Sequence, residues 1–335
     1  MSRVEQRLLE AWYQGGPVPW WAAALEPAYR LVAAMRRSAY RRGWKRSGHP
    51  GRPVIVIGNL TAGGAGKTPL AIWLLQALAR NGRRPALVSR GYGGAEPAVP
   101  HRVAASDPPG LAGDEPLLVL RETGVPVWVC RDRLAAARAA VADGADVIVA
   151  DDGLQHYRLR RDFEIVVVDA QRGFGNGRRL PAGPLRESVE RLAGVDAVVC
   201  NGSGPHCPAG SLRMTLSGSE AVRLDGGARR ALASFAGGPV HAVAGIGHPE
   251  RFFALLEAQG LQVQRHPLPD HGEVPPGALA PADGRPVLMT SKDAMRCRGS
   301  AAAAAAWEVP VAATLQDGGA PLLARLATCL ALSEA

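Results

Sequence analysis

Between an apolar, β-branched run at 54–57 and a helical pattern at 69–80 lies the segment Thr61-Ala62-Gly63-Gly64-Ala65-Gly66-Lys67-Thr68. A loop this rich in glycine lets backbone N–H groups turn inward on an anion. Lysine adds a compact charge for β/γ-phosphates, and the threonine hydroxyl is an oxygen ligand for Mg²⁺. The spacing meets GxxxxGK[ST] except at its first position, where Thr61 replaces glycine. Strand before and helix after are the context this pattern demands, so residues 61–68 are predicted to hold the phosphates of a nucleotide.

That context extends along the chain. Apolar runs at 86–88, 126–129, 147–150, 165–168 and 197–199 alternate with helical patterns, including one at 133–142. Such alternation predicts an α/β fold, a P-loop parallel sheet with helices on both faces. A glycine- and proline-rich stretch, about 201–238, interrupts it. The pattern resumes at 240–244, 249–259, 261–264 and 287–289, with a helical tail at 322–332. We therefore expect a P-loop domain over 53–238 and a smaller C-terminal α/β domain over 239–335.

The run at 147–150 ends in Asp151-Asp152. A carboxylate at the C-terminal end of a buried strand is where a P-loop enzyme keeps its Mg²⁺-binding acid. Thr68, Asp151 and Asp152 are the predicted metal-side residues. Two acids before Gly153 are also an ordinary way to end a strand in a turn.

The net charge is +9, and it is unevenly placed. Residues 1–52 carry ten Lys/Arg against Glu5, Glu10 and Glu26, and four of the seven tryptophans. The rest is nearly balanced, which argues against nucleic acid as a partner. A helix predicted at 27–43 places Ala28, Val32, Met35 and Ala39 on one face and Arg30, Arg37 and Arg41 opposite. Apolar stripe, arginines and flanking tryptophans fit an N-terminal interfacial helix; a helix docked on its own domain fits as well. No run of 18 apolar residues occurs, and the first residues lack a cleavable signal pattern. Five scattered cysteines, odd in number and without CxxC, argue against a disulfide framework or zinc site. Lysine occurs only at 45, 67 and 292, against 36 arginines.

The motifs Asn59-Leu60-Thr61 through Pro69, Ser89-Arg90-Gly91-Tyr92-Gly93, Gly113-Asp114-Glu115-Pro116, Asp151-Asp152-Gly153-Leu154-Gln155-His156 and Thr290-Ser291-Lys292-Asp293 occur in this order. Together they resemble the tetraacyldisaccharide 4'-kinase family of lipid A synthesis, which also carries threonine at the loop's first position. The resemblance implies transfer of the γ-phosphate of ATP, with Mg²⁺, to the 4'-hydroxyl of an acylated glucosamine disaccharide 1-phosphate, giving the 1,4'-bisphosphate. It implies peripheral attachment to the cytoplasmic face of the bacterial inner membrane, an anionic surface, and no obligate protein partner.

It also implies roles. Asp114 is the acceptor for the hydroxyl proton, supported by His271 from the second domain, with Lys67 on the transferred phosphate. Asp114 equally occupies a helix-capping position before Glu115-Pro116. The segment His271-Gly272-Glu273 departs from the family in lacking a further histidine and aromatic. Arg90, Tyr92, Glu115, Arg133 and His156 are candidate substrate contacts. A P-loop ATPase or GTPase of the partitioning or metallochaperone kind would share Lys67, Thr68 and a strand-end aspartate, but not the basic N-terminus.

Overall fold

The computed structural model describes residues 3–270, 272–300 and 303–332. Two sheets organise them. The larger contains β1 (Val54–Gly58), β2 (Pro85–Ser89), β3 (His101–Arg102), β4 (Val127–Val129), β5 (Val147–Asp151), β6 (Phe163–Asp169), β7 (Ala197–Asn201) and β8 (Leu212–Ser217). The smaller contains β9 (Glu220–Arg223), β10 (Arg229–Ala231), β11 (Pro239–Ala244), β12 (Gln262–Pro267), β13 (Val287–Thr290) and β14 (Trp307–Val309), while β15 (Ala312–Leu315) returns to the larger. Their orders are β15-β8-β7-β6-β1-β5-β2-β4-β3 and β10-β9-β14-β13-β11-β12.

Every pairing between β8 and β4 in the larger sheet is parallel, with antiparallel strands only at its edges. Central β1 shows why the 54–57 run is apolar throughout. Ile55 and Ile57 face one core with Leu70 and Leu74, while Val54 and Val56 face another with Leu134 and Ala137. A strand covered on both faces has no polar side to alternate. The helices involved are α3 (Lys67–Arg80) on the first face and α6 (Arg133–Ala142) on the second. In the smaller sheet α7 (Pro249–Ala258) covers one face through Phe252, Phe253 and Leu256. On the other face α9 (Ser291–Cys297) buries Ala294 and Cys297.

Three expectations are corrected. The boundary at 238/239 does not coincide with sheet membership, because β9 and β10 complete the smaller sheet. The chain then returns at β15, pairing with β8, and α10 (Ala320–Leu332) packs Leu322 and Leu326 into the larger core. Edge strands added antiparallel carry no βαβ signature, so alternation alone misassigns them.

Second, the N-terminal helix begins earlier. After α1 (Arg3–Tyr13), α2 spans Trp20–Arg41 with Pro27 inside it, and Gly43 at φ 75° follows its end. Third, Cys200 and Cys207 form a disulfide with Cα atoms 5.6 Å apart. The turn after β7 brings two cysteines seven positions apart together, a pairing the scattered spacing did not suggest.

The outer side of α2 exposes Leu25, Leu31, Val32 and Met35, and Trp20 is 83% exposed. Its other side is tied to the body. Glu26 receives Arg178 Nε at 2.9 Å and Arg179 N at 3.0 Å, and the Tyr29 hydroxyl donates to the Arg186 carbonyl at 3.2 Å. Among the described residues no helix is long and apolar enough to cross a membrane.

Candidate active site

The glycine-rich loop joins the C-terminal end of β1 to α3, in the middle of the larger sheet. Gly63 and Gly66 have φ of 98° and 93°, left-handed values that glycine adopts without steric cost. At Gly66 space is short as well, because a Cβ would collide with the Asn201 amide. That amide donates to the Ala65 carbonyl at 2.9 Å, locking the loop to the end of β7. Ala62 N donates to the Pro184 carbonyl at 2.7 Å, and Thr61 forms a bridge with Leu185. The loop's own closure comes from Asn59, whose amide donates to the Gly63 carbonyl at 3.0 Å. Gly64 packs against Gly247, where a side chain would collide with the Gly64 nitrogen. The Gly245-Ile246-Gly247 turn is thus a packing surface for the P-loop.

Lys67 opens α3 with its Nζ donating to Asn59 Oδ1 at 3.1 Å and lying 3.3 Å from Asp152 Oδ1. Thr68 follows it in the first turn. Asp151 ends β5, buried, with Oδ1 accepting from Asp152 N at 2.9 Å. Burial, and next the charge of Glu115, raise its pKa to about 7 against the pull of Lys67. Asp152 is opposite in character. Its backbone turns to φ 47°, and both its oxygens accept from Arg186 at 3.0 Å. Burial opposes its ionisation, but Lys67 and Arg186 prevail and hold the carboxyl well below its ordinary range.

Further charges converge on this pair. Arg133, at the start of α6, is buried with its Nε unpartnered; burial lowers its pKa while Asp152 and Asp151 sustain its charge. Arg90 belongs to the same field and bonds Glu96 at 2.8 Å. Tyr92 beside it is exposed. His156 keeps a buried, unpartnered Nε2, 4.0 Å from Asp132 Oδ1. Burial, then the charge of Arg133, lower its pKa to about 4, so the ring is neutral at physiological pH.

Asp114 and Glu115 begin α5 (Asp114–Thr123), with Gly113 at φ 89° before them. A Cβ on Gly113 would press within 2.9 Å of the Tyr92 carbonyl, so the 91–93 loop lies against the start of α5. Asp114 is 2% exposed. Its Oδ1 accepts from Glu115 N at 2.9 Å, and its Oδ2 receives Arg296 of α9 at 3.2 Å. Lys292 of α9 lies 3.0 Å from both Glu115 Oε1 and Asp270 Oδ1, and these acids raise its pKa against the cost of burial. Through Arg296, a residue of a helix packed on the smaller sheet is thus in contact with Asp114. His271, expected there, lies outside the described residues.

All other predicted site residues gather around the ends of β1, β2 and β5. Sequence reasoning missed Asn59, Arg186, Asn201 and Arg296. Lys292 carried a signal, as one of three lysines, but Arg186 and Asn201 stand in loops and strand ends without any motif. For Mg²⁺ the donors fit: the helix-start hydroxyl of Thr68 and the buried strand-end carboxylate of Asp151, with Asp152 beside it. Among the described residues no three acid, histidine or cysteine groups form a cage of their own. Mg²⁺ in phosphoryl-transfer sites takes one or two carboxylates and completes its shell with phosphate and water.

Comparison with known proteins agrees with this geometry. The family model described as tetraacyldisaccharide-1-P 4'-kinase matches residues 18–329. The tetraacyldisaccharide 4'-kinase of Stenotrophomonas maltophilia is 51% identical over 294 residues, covering 86% of this chain and 87% of that protein. That of Alkalilimnicola ehrlichii is 51% identical over 313 residues, covering 91% and 92%. The crystal structure of LpxK from Aquifex aeolicus in complex with ATP superposes with a TM-score of 0.75 at 24% identity, covering 92% of this chain and 98% of that one. That likeness speaks for the fold, and the sequence matches for the kinship. Matched over most of its length by the family model and by relatives of about half-identical sequence, the chain belongs to the tetraacyldisaccharide 4'-kinase family.

Proposed function

We propose that the chain transfers the γ-phosphate of ATP to the 4'-hydroxyl of a tetraacyldisaccharide 1-phosphate, working at the cytoplasmic face of an anionic inner membrane. The observation that carries the reading is the meeting of two groups of opposite use. Lys67, Asp151 and Asp152 stand at the phosphate end, and buried Asp114 precedes Glu115, whose charge acts on Asp151.

The residues divide the work as phosphoryl transfer requires, by positioning and charge rather than covalent chemistry. Backbone N–H groups of 61–68 cradle the phosphates, and Lys67 neutralises the β/γ-oxygens. Thr68 and Asp151, with Asp152 beside them, would hold Mg²⁺, which when bound would neutralise charge developing on the phosphates. Asp152 orients Lys67, and Arg186 fixes Asp152. Asp114 receives or orients the hydroxyl proton, and His271 is retained as its partner from the sequence resemblance. Arg90, Tyr92, Glu115, Arg133 and the neutral His156 serve as substrate contacts, the role the sequence resemblance implies for them.

The exposed apolar stripe of α2 supports docking on the bilayer that holds the substrate, since residues 1–52 also carry most of the net charge. A switch ATPase would leave that stripe and the α5–α9 contact without a role. The deciding experiment is transfer of labelled phosphate from ATP to a defined tetraacyldisaccharide 1-phosphate in mixed micelles, with Lys67→Ala as the blank. Lipid-independent ATP hydrolysis without a phosphorylated lipid product would reject the reading.

A further inference from the structure

Helices from different sheets face each other across the site, α5 from the larger and α9 from the smaller. Arg296–Asp114 at 3.2 Å and Lys292–Glu115 at 3.0 Å join them, and Arg121 of α5 pairs with Glu308 of β14. The first of these reaches the acceptor carboxylate with a guanidinium.

Arg296 makes that contact as a fork, with one terminal nitrogen on Asp114 Oδ2 and the other on Asp293. Asp293 is a fixed anchor. It is fully buried, receives Gly245 N at 3.2 and 3.0 Å on its two oxygens, and accepts from Thr290 Oγ1 at 2.5 Å. Glycine at 245 is a matter of space, because a Cβ there would lie 2.7 Å from Asp293 Oδ1 and 2.9 Å from the Arg296 guanidinium. Asp114 is thus held from two directions, one oxygen by its own helix and the other by a guanidinium anchored in the smaller sheet.

A carboxylate that takes a proton must aim a lone pair at the hydroxyl, and misaim by about 1 Å costs on the order of 10²-fold in rate. Arginine suits the aiming role. Its planar fork fixes direction, and it stays protonated, so it never competes for the proton. We propose that Arg296 is a positioning residue for Asp114, which makes the aim of the acceptor carboxylate depend on the smaller sheet being seated on the larger. The proposal rests on the reading of Asp114 as the proton-side residue.

The test is steady-state kinetics of the full chain with ATP and tetraacyldisaccharide 1-phosphate in mixed micelles. Arg296→Ala should lower kcat roughly 10–100-fold, with KM for ATP within about twofold, because the P-loop holds the nucleotide separately. Arg296→Lys keeps the charge but not the fork, and should regain only a minor part of that loss. In an Asp114→Ala background, Arg296→Ala should cost little more, since groups acting as one unit are not additive. Arg121→Ala is the control for a bridge between the sheets that spares Asp114, since Glu308 keeps Arg298 at 2.7 Å.

Equal losses in Arg121→Ala and Arg296→Ala, full recovery by lysine, or full multiplicative loss in the double variant would each overturn the proposal. An Asp114→Ala enzyme with normal kcat would instead overturn the reading of Asp114, and the proposal with it. Normal Arg296→Ala beside a dead Asp114→Ala would sink the positioning role alone.

Discussion

Lys67 Nζ lies 3.3 Å from Asp152 Oδ1, so the lysine of the phosphate loop is tied to the turn after β5, the strand that lies beside β1 in the sheet although it comes four strands later in the chain. The tie depends on Asp152 standing in the left-handed region at φ 47°, with Arg186 gripping both carboxylate oxygens. Strain at a non-glycine residue costs on the order of 1–3 kcal/mol and persists only where surroundings hold it. Here the surroundings are two cations, and the result is a carboxylate that stays ionised where phosphate must be received. The same pair predicts what happens when either partner is lost.

Lys67→Ala and Asp152→Asn should each lower kcat at least about 10²-fold, because the first removes phosphate charge and the second leaves Lys67 and Arg186 without their shared anchor. Labelled-phosphate transfer at saturating ATP measures it. Turnover within threefold of the parent in either variant would remove the pair from the mechanism.

Asp114→Ala should lower kcat roughly 10²–10⁴-fold, the usual worth of a positioned proton acceptor, while KM for ATP changes less than about threefold. A matched fall in ATP affinity would return Asp114 to the start of α5 as a structural residue.

Deleting the N-terminal segment would be a poor test of membrane docking. Tyr13 donates to the Ala62 carbonyl of the phosphate loop at 3.3 Å, and Trp12 donates to the Pro181 carbonyl at 3.0 Å. Truncation would therefore strip support from the nucleotide site. The cleaner variant replaces the outward Leu31, Val32 and Met35 with serine. Removing roughly 1.5–3 kcal/mol of burial per side chain should reduce binding to anionic vesicles at least tenfold. KM for the lipid should rise and KM for ATP should not. Unchanged vesicle co-sedimentation would rule out that face as the docking surface.

His156 gives a pH prediction whose sign follows from its burial. The ring's pKa falls from 6.5 to about 4 in the fold, so between those values the unfolded chain binds more protons. Stability then increases with pH across that window. Its contribution is complete above pH about 6.5 and is lost as pH falls towards 4, with an upper limit of ~3 kcal/mol. Urea unfolding midpoints at pH 4.5, 5.5 and 7 should show this slope, and His156→Gln should flatten it. A parallel slope in the variant would assign the acid limb to other groups.

Legibility followed range along the chain. The motif 61–68, the strand before it and the helix after it were readable because each depends on local rules. Glycine supplies left-handed backbone, β-branched residues fill a strand buried on both faces, and a helix start offers N–H groups. Asp151 and Asp152 could be placed for the same reason, as acids ending an apolar run. The Asp114-Glu115 segment was legible only through resemblance, since a carboxylate before a proline also starts an ordinary helix.

What only the tertiary structure decided is who answers these residues. Arg186, Asn201 and Arg296 are 34, 136 and 182 positions from their partners Asp152, Ala65 and Asp114. Nothing in their local sequence marks them among 36 arginines and many loop residues. The return of β15 to the larger sheet and the capture of β9 and β10 by the smaller were hidden likewise, because edge pairing depends on which strand edges are left open. Local conformation is written in propensity and spacing, whereas charge pairing and strand adjacency are settled by packing. The P-loop could therefore be read from a dozen residues, and the aim of Asp114 only from α5 and α9 brought together.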